Sequence, residues 1–296
     1  MIAADMATHC IDAHHHLWRY SSEEYPWMTK GMQAIRRDFL VEDLKSVSLE
    51  LGFTGTVVVQ ARQTLIETDW LLNLSSSDDF VRGVVGWVPL IDPAVHGQLE
   101  RVTAHKKLKA VRHVLHDEAN DFYMMREDFN RGVALLEQFN LCYDILIFEH
   151  HLSQTIEFVS RHPNQIFVVD HIAKPRIRDR AISPWKENLS ELARRENVYC
   201  KLSGMVTEAE WSSWTENDLQ PYFDIVLESF GPRRVMFGSD WPVILVASSY
   251  KRWVDTVRHM ITSLSTDEKD RIMGGDCERG LRFGLMRTLK ESVYFQ

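Results

Sequence analysis

Histidines and a carboxylate stand where buried strands of this chain are expected to end. Three histidines, His14 to His16, follow the short run 11–13; His171 closes a second apolar run and Asp240 a third. Imidazole nitrogens together with a carboxylate oxygen can hold a zinc-type ion. The same groups can also hydrolyse an ester without metal, because a carboxylate takes a proton from water while imidazoles hold the carbonyl. The set therefore predicts hydrolysis and leaves open whether one ion takes part.

Strand alternation assigns these side chains to faces, because successive side chains of a strand point to opposite sides. In the first strand Asp12, His14 and His16 are expected to share one face, with the histidine between them on the other. In the sixth strand His171 and Asp170 are expected to point to opposite sides. The candidate ligands of a single ion are then His14, His16, His171 and Asp240.

Further polar side chains lie in or after three other apolar runs. Arg112 and His113 end the fourth run, and as neighbours in a strand they should point apart, so at least one is expected to contact substrate. Lys201 lies inside the seventh run, where an isolated ammonium would be very costly, so it reaches either an ion-pair partner or the ligand. Gln60 closes the second run and either hydrogen-bonds a polyol or caps a loop.

Eight apolar, β-branched runs could position these residues, and helical patterns lie between them. Residues 41–51 and 129–139, for example, repeat apolar side chains along one helical face. Strands that are apolar on both faces are typical of a buried parallel sheet. The runs are 9–12, 53–60, 81–90, 108–115, 141–148, 165–173, 198–204 and 234–242. This alternation predicts an α/β fold, a (β/α)8 TIM barrel.

Length and composition favour one domain over residues 1–296. No Gly/Ser linker or composition break divides the 296 residues, and 292–296 are interpreted as an expression remnant. A net charge of -8 argues against nucleic-acid binding. No run of about 18 apolar residues and no basic leader is present, so we expect a cytoplasmic protein without membrane contact. The four cysteines lack CxxC spacing and are expected to be free thiols.

Aromatic side chains are concentrated in two long segments that follow strands. Segment 17–38 includes Trp18 and Trp27 and is expected to cover the barrel mouth, while segment 205–218 could form another wall. Plain packing of long loops would explain the same aromatics. Trp18, Trp27 and Trp241, which follows Asp240, are candidate substrate contacts together with His14, His16, Gln60 and Lys201.

Seven short motifs, taken in order, resemble one known group of proteins. They are IDAHHHLW at 11–18, YPW at 25–27, GVVGWV at 83–88, VRH at 111–113, DHIAKP at 170–175, CKLSG at 200–204 and FGSDWP at 237–242. As a set they resemble the fuconolactonase-like branch of the amidohydrolase superfamily, and the likeness extends over nearly the whole chain.

The resemblance implies a (β/α)8 barrel that hydrolyses lactones of sugar acids, such as L-fucono- or L-rhamnono-lactone. It implies Asp240 as general base, with His171, His113 and Arg112 as the other catalytic residues. His14 and His16 would complete the site. A lactone is an activated ester, so this chemistry needs no covalent nucleophile or redox cofactor. The expected partner is a small sugar lactone, and a homo-oligomer is compatible with the sequence.

The chain differs from the wider superfamily in the residues available to bind metal. Many relatives bridge two ions with a lysine late on the fourth strand, where this chain has Arg112 and His113. The resemblance therefore implies either no required cofactor or one divalent ion, with zinc as the expected metal. Residues 149–151, Glu-His-His, follow the fifth run and could attract an ion as well.

Two other functions remain open on the same barrel. One is a metal-dependent decarboxylase or a hydrolase of aromatic-derived lactones, of the pyrone dicarboxylate or muconolactone type. Aromatic diacids would require several cations at the mouth, namely Arg112, Lys174, Arg176 and Lys201. The other is an inactive sugar-acid binding protein. GxSxG, GxGxxG and P-loop motifs are absent from the sequence, which argues against serine-hydrolase and nucleotide chemistry.

Overall fold

Eight parallel strands form one barrel in the computed structural model, which describes residues 10–275. Neighbouring strands in the sheet are also neighbours in the chain. A parallel bridge between His15 and Trp241 joins the first strand to the chain just after the eighth and closes the ring. The strands are β1 Cys10–His15, β2 Phe53–Val59, β3 Val81–Gly86, β4 Leu108–Val114, β5 Cys142–Leu146, β6 Phe167–Val169, β7 Val198–Leu202 and β8 Val235–Phe237. The predicted (β/α)8 barrel is confirmed, while residues 292–296 and Cys277 lie outside the described residues.

Helices lie between the strands and after the last one. They are α1 Val41–Ser48, α2 Leu65–Ser77, α3 Val95–Thr103, α4 Glu127–Leu136, α5 Leu152–Ser160, α6 Trp185–Ala193, α7 Met205–Glu208, α8 Glu216–Phe230, α9 Tyr250–Met260 and α10 Thr266–Asp270. Helix α1 continues as a 3-10 turn that stops at Gly52, whose φ of 84° favours glycine. Within residues 10–275, no helix combines the length and apolar character needed to cross a bilayer.

Small and branched side chains fill the inside of the barrel. One residue or more from each strand contributes to this inner cluster, which consists of Ile11, Ala13, Val57, Val59, Val85, Ala110, Val168 and Met236, with Cys142 and Tyr199 against it. The opposite faces of the strands pack on the helices. Burial on both faces explains why the strands are apolar along most of their length.

The first strand departs from simple alternation. Its register with β2 shifts between Asp12 and His15, as a β-bulge does. Asp12 consequently accepts hydrogen bonds from the Ser239 amide at 2.9 Å and the Tyr250 hydroxyl of α9 at 3.2 Å. The prediction that Asp12 shares a face with His14 is therefore wrong, because the bulge turns His14 inward while Asp12 lies against the helix layer.

The sixth strand ends at Val169, four residues before the end of the predicted run 165–173. Four consecutive non-glycine residues then have positive φ, His171 at 52°, Ile172 at 50°, Ala173 at 61° and Lys174 at 48°. Left-handed backbone costs about 1–2 kcal/mol per such residue. This turn brings Asp170 and His171 to the same end of the barrel interior, so the prediction that they point to opposite sides is wrong.

Candidate active site

Three imidazoles and one carboxylate meet at the carboxyl end of the barrel. We call His14, His16, His171 and Asp240 the imidazole cluster. The His14 and His16 Nε2 atoms are 3.3 Å apart, and His16 Nε2 is 3.3 Å from Asp240 Oδ1. The same carboxylate oxygen lies 3.9 Å from His14 Nε2 and 4.0 Å from His171 Nε2. All four side chains are buried. The structure thus brings together the four residues that the sequence singled out.

The other nitrogen of each imidazole contacts a group that fixes the ring. His16 Nδ1 lies 2.8 Å from the Val59 carbonyl oxygen, and His171 Nδ1 lies 2.9 Å from the Ser203 hydroxyl. A carbonyl only accepts, so His16 carries a proton on Nδ1. Such contacts orient the Nε2 atoms toward a common point, as in histidines that bind metals.

Gly238 makes the close approach of β1, β7 and β8 possible. A Cβ atom at this position would lie 2.8 Å from the His14 Cβ and 3.1 Å from the Ser203 Cβ. Any side chain there would therefore displace His14 or the hydroxyl that holds His171. Two residues later the backbone turns at Asp240, whose φ is 57°, and directs the carboxylate to the cluster.

Burial controls the protonation of the cluster. It lowers the pKa of His14 and His171 well below the usual histidine value, so both rings are neutral near pH 7. Burial also raises the pKa of Asp240, but attraction from His171 and a hydrogen bond with His16 outweigh it, and the net pKa is lowered.

The Nε2 lone pairs of the imidazoles and the Asp240 carboxylate oxygen repel one another unless a proton or a metal cation lies between them. With its Nδ1 proton directed to Val59, His16 can donate to Asp240 only if the ring is doubly protonated; a cation at Nε2 would satisfy the same contact. Ligand atoms around a tetrahedral zinc ion are about 3.3 Å apart, given bonds near 2.0–2.1 Å. The separations of 3.3 to 3.9 Å among His14, His16 and Asp240 are close to that value. These three residues fit one divalent ion, whereas the ligand atoms of His171 group in the same way with His14 and Asp170.

Beneath this cluster lies a set of fully paired charges, which we call the buried ion layer. It consists of Asp144, Asp170 and Lys201, with exposures of 0 to 3%. The Lys201 ammonium contacts Asp144 and lies 3.0 Å from Asp170 Oδ1, while Arg112 donates to Asp170 Oδ2 at 2.9 Å. Lys201 Nζ and Asp170 Oδ1 are also 3.2 and 3.3 Å from Nδ1 of His14.

The ionisation of this layer follows from burial and pairing. Burial opposes protonation of Lys201, but the two carboxylates outweigh it and raise its pKa. Burial likewise raises the pKa of Asp144 to about 6. For Asp170, Lys201 and His14 overcome the effect of burial, and the pKa lies well below the usual value. Sequence reasoning missed Asp144 and Asp170, although a lone carboxylate inside the apolar run of β5 was a signal for Asp144.

Several predicted substrate contacts lie behind the cluster. Gln60 is buried and donates to the Arg112 carbonyl oxygen at 3.3 Å. Trp18 stacks on His16 with ring centroids 6.3 Å apart, and its indole donates to a backbone carbonyl. Trp241 is buried, and its carbonyl oxygen accepts the His16 amide at 2.6 Å. Trp18, Trp241 and Lys201 contact the imidazoles or their backbone, Gln60 contacts Arg112, and none of the four lines the cavity described below.

His113 points to the helix layer. Its Nε2 lies 2.6 Å from the Glu118 carboxylate, and its ring stacks on Tyr123 at a centroid distance of 5.0 Å. The edge of Phe129 from α4 packs against the same ring. The expectation that His113 and Arg112 point apart therefore holds, and it is Arg112 that reaches the interior. The structure does not bring His113 to the imidazole cluster.

A cavity of about 430 Å³ opens directly above the cluster. Its floor includes His16, Arg112, His171 and Asp240. Trp27 and Met32 of segment 17–38 and Trp211 of segment 205–218 line its walls, as those segments were expected to do. Trp214, by contrast, is buried and donates its indole N–H to the Ala247 carbonyl oxygen at 2.8 Å.

The cations that line the cavity are paired with carboxylates. Arg112 is paired with Asp170, and Lys174 is 2.6 Å from Glu208. Lys201 is held in the buried ion layer, and Arg176 is exposed and pairs with Glu149 at 2.6 Å. Of the four cations that an aromatic diacid would require, Arg112 and Lys174 line this mouth, and Lys201 and Arg176 do not. The cavity favours an uncharged, polar ligand.

A second group of potential metal ligands follows β4 and β5. His151 Nε2 is 3.5 Å and His150 Nε2 is 3.9 Å from Asp121 Oδ1. Asp121 and His150 are more than half exposed, and neither they nor His151 line the cavity. Glu149 of the same segment turns to Arg176 instead.

Comparisons with known proteins agree with this architecture. The sequence pattern of the amidohydrolase family matches residues 11–283. An L-fucono-1,5-lactonase from Burkholderia multivorans is 38% identical over 282 residues, covering 91% of this chain and 94% of that protein. One from Burkholderia ambifaria is 34% identical, covering 90% and 93%. A crystal structure of a Burkholderia multivorans amidohydrolase with bound zinc has a TM-score of 0.89 and 37% identity, covering 93% of this chain and 99% of that one.

Proposed function

This chain belongs to the amidohydrolase family, and on that premise we propose that it is a hydrolase that opens the lactone ring of a sugar acid. The observation that carries the proposal is the imidazole cluster, which lies under a cavity whose cations, Arg112 and Lys174, are already paired with carboxylates. A neutral, hydroxyl-bearing ring ester suits such a cavity. The similarity to L-fucono-1,5-lactonases favours a lactone of the L-fucono type.

Asp240 would act as the general base. Its carboxylate is ionised at neutral pH and faces the cavity floor. A water molecule would give a proton to Asp240 as its oxygen bonds to the lactone carbonyl carbon. When the ring C–O bond then breaks, the leaving alkoxide would take the proton back. The product is the open-chain acid, and the carboxylate is regenerated.

Arg112 and His171 would stabilise and orient the reacting carbonyl. The Arg112 guanidinium lines the floor, and within residues 10–275 no hydrogen-bond acceptor is found for its buried Nε–H. A preorganised cationic donor of this kind lowers the energy of an oxygen that gains negative charge in the transition state. Asp170 holds the same guanidinium from the side away from the cavity.

One divalent ion fits the cluster; His14, His16 and Asp240 would hold it, and His171 is the neighbouring imidazole that could add a ligand. Such an ion, when bound, polarises a carbonyl oxygen and lowers the pKa of water. The Ser203 hydroxyl and the Val59 carbonyl would then orient His171 and His16 around it. The crystal structure of the zinc-containing relative supports zinc as the ion to test first.

A panel of aldono-lactones tests this function through proton release, measured with a pH indicator. The panel is run with chelator-treated protein and again after zinc or manganese is added back. We expect turnover of L-fucono-1,5-lactone, and activity that rises with metal would assign the ion a role. Absence of turnover with every lactone in both forms would overturn the proposal, and binding of the free acid without turnover would favour the inactive binding protein.

A further inference from the structure

One wall of the cavity carries an ion pair to which the proposed reaction assigns no role. Lys174 follows β6 and Glu208 ends α7, which follows β7, and both line the cavity. Their side chains are 2.6 Å apart and are 16% and 20% exposed. Asp117, after β4, lines the same wall beside His116. This wall is therefore polar, charged and open to a ligand.

The loops after β8 and β1 give the cavity a different wall. Val243 and Val246 follow β8, and Trp27 and Met32 follow β1. These side chains are apolar except for the indole N–H. A ligand that fits between the two walls must present hydroxyl groups on one side and carbon-bound hydrogens on the other. Apolar walls with a few placed polar groups are typical of small-molecule sites.

An ammonium paired with a carboxylate matches two neighbouring hydroxyl groups. The ammonium has three N–H donors and the carboxylate has about four lone-pair positions, so one mutual contact leaves capacity on both groups. A hydroxyl group can donate and accept at once, so one hydroxyl can accept from Lys174 while its neighbour donates to Glu208. The charges of the pair cancel, so an uncharged ligand is not rejected.

Backbone geometry connects this pair to the imidazole cluster. Lys174 is the last of the four residues with positive φ, and its amide donates to the His171 carbonyl oxygen at 2.8 Å. The turn that directs His171 to the cluster therefore also sets the position of Lys174. A partly exposed ion pair stabilises a fold by about 1 kcal/mol at most, so stability alone gives little reason to keep one at the mouth.

We propose that Lys174 and Glu208 form a subsite that binds two adjacent hydroxyl groups of the lactone ring. This inference rests on the proposed function and names which part of the substrate that function recognises. Neither side chain is the proposed base or a proposed donor to the carbonyl, so its interactions with the ring hydroxyls are expected to be the same in the bound substrate and in the transition state. Interactions of that kind lower KM and leave kcat unchanged.

The test compares two ring esters on three sets of protein. Lys174→Met and Glu208→Gln remove one member of the pair each. Arg178→Met and Glu210→Gln are the matched controls, because this pair joins the same two loops at 3.3 Å, is more than half exposed, and does not line the cavity. The substrates are L-fucono-1,5-lactone and δ-valerolactone, which has the same ring size and no hydroxyl groups.

For L-fucono-1,5-lactone we expect KM to rise roughly 10- to 100-fold in Lys174→Met and Glu208→Gln, the usual loss for a hydrogen bond to a charged group. Its kcat should be retained, and the kinetics of δ-valerolactone and of the control variants should match wild type. The inhibition constant of L-fucitol, an open-chain polyol without a carbonyl, should weaken in the same two variants. Thermal unfolding confirms that the variants are folded.

Equal losses with both lactones, or unchanged KM and unchanged L-fucitol inhibition in both variants, would overturn the subsite. If wild-type protein opens δ-valerolactone as efficiently as L-fucono-1,5-lactone, the proposed lactonase function is supported, but the proposal that Lys174 and Glu208 bind ring hydroxyl groups is overturned. If wild type opens neither lactone nor any other lactone of the panel, the proposed function itself fails. The kinetics of the wild-type protein therefore distinguish failure of the proposed function from failure of the subsite.

Discussion

Two groups of ionisable side chains lie one above the other at the carboxyl end of the barrel. In the buried ion layer, Lys201 contacts both Asp144 and Asp170, and no member of the layer lines the cavity. In the imidazole cluster, His16, His171 and Asp240 border the cavity. Both groups are buried, contain carboxylates and come from strand ends, yet only one has a side open to a ligand.

The difference shows that burial of a charged residue does not by itself identify a catalytic group. Lys201 has acceptors for its donors within the protein, so its charge stabilises the site and is not available to a substrate. Asp240 keeps part of its carboxylate toward the cavity floor. Removing a member of the buried ion layer should therefore reduce stability, and removing a member of the imidazole cluster should reduce turnover.

The largest effect on stability is expected from Lys201→Met. It leaves Asp144 and Asp170 as buried, poorly compensated carboxylates, and breaking a buried pair in this way costs about 3–5 kcal/mol. Urea unfolding measures the change in the free energy of unfolding. The matched control is Lys251→Met, because the Lys251–Asp255 pair is exposed and should contribute less than about 1 kcal/mol. Equal changes in the free energy of unfolding of the two variants would show that the buried ion layer does not stabilise the fold more than a surface ion pair does.

Another buried carboxylate, Glu67, extends the comparison, because backbone amides hold it instead of a cation. It accepts from Ala61 and Arg62 at 3.0 and 2.7 Å, and burial raises its pKa to about 7. Because the unfolded chain loses this proton at lower pH than the folded one, the free energy of unfolding should fall between about pH 4.5 and 7.

Glu67→Gln removes that titration and keeps an oxygen for the amides. Relative to wild type, the variant should gain up to about 3 kcal/mol between pH 4.5 and pH 8, with most of the gain complete by pH 7. Denaturant unfolding at a series of pH values measures the difference. Parallel stability curves for the two proteins would contradict the raised pKa.

The smallest effect is expected in the cavity wall. Trp27 lines the cavity, and within residues 10–275 its buried indole N–H has no hydrogen-bond partner, so a ligand oxygen is its expected acceptor. Trp27→Phe should raise KM for the best lactone roughly 3- to 10-fold, the loss for one neutral hydrogen bond. Trp214→Phe is the control, because it loses a bond to Ala247 outside the cavity and should leave KM unchanged.

The sequence predicted the barrel and the four residues of the imidazole cluster because both depend on regular features. Eight apolar runs correspond to eight strands, and polar residues at the ends of parallel strands meet at one edge. The predictions failed where the backbone is irregular. The bulge in β1 moved Asp12 to the helix layer, and the left-handed turn that begins at His171 brought this side chain to the same side as Asp170.

The sequence also could not predict which group each aromatic side chain contacts. An aromatic side chain after a strand can face the ligand, as Trp27 does, or support a catalytic ring, as Trp18 does. Composition is the same in both cases, and the difference lies in tertiary packing. The single-domain boundary, the cytoplasmic location and a homo-oligomeric state remain predictions.

The most direct test of the account is kcat for lactone hydrolysis by Asp240→Asn, with Asp117→Asn as control. Both carboxylates line the cavity, but Asp117 contacts His116 and lies outside the imidazole cluster. We expect Asp240→Asn to fold and to lose roughly 10²- to 10⁴-fold in kcat, the usual contribution of a general base. Asp117→Asn should stay within about tenfold, the effect of one hydrogen bond. Near wild-type kcat in Asp240→Asn would contradict the assignment of Asp240 as the base.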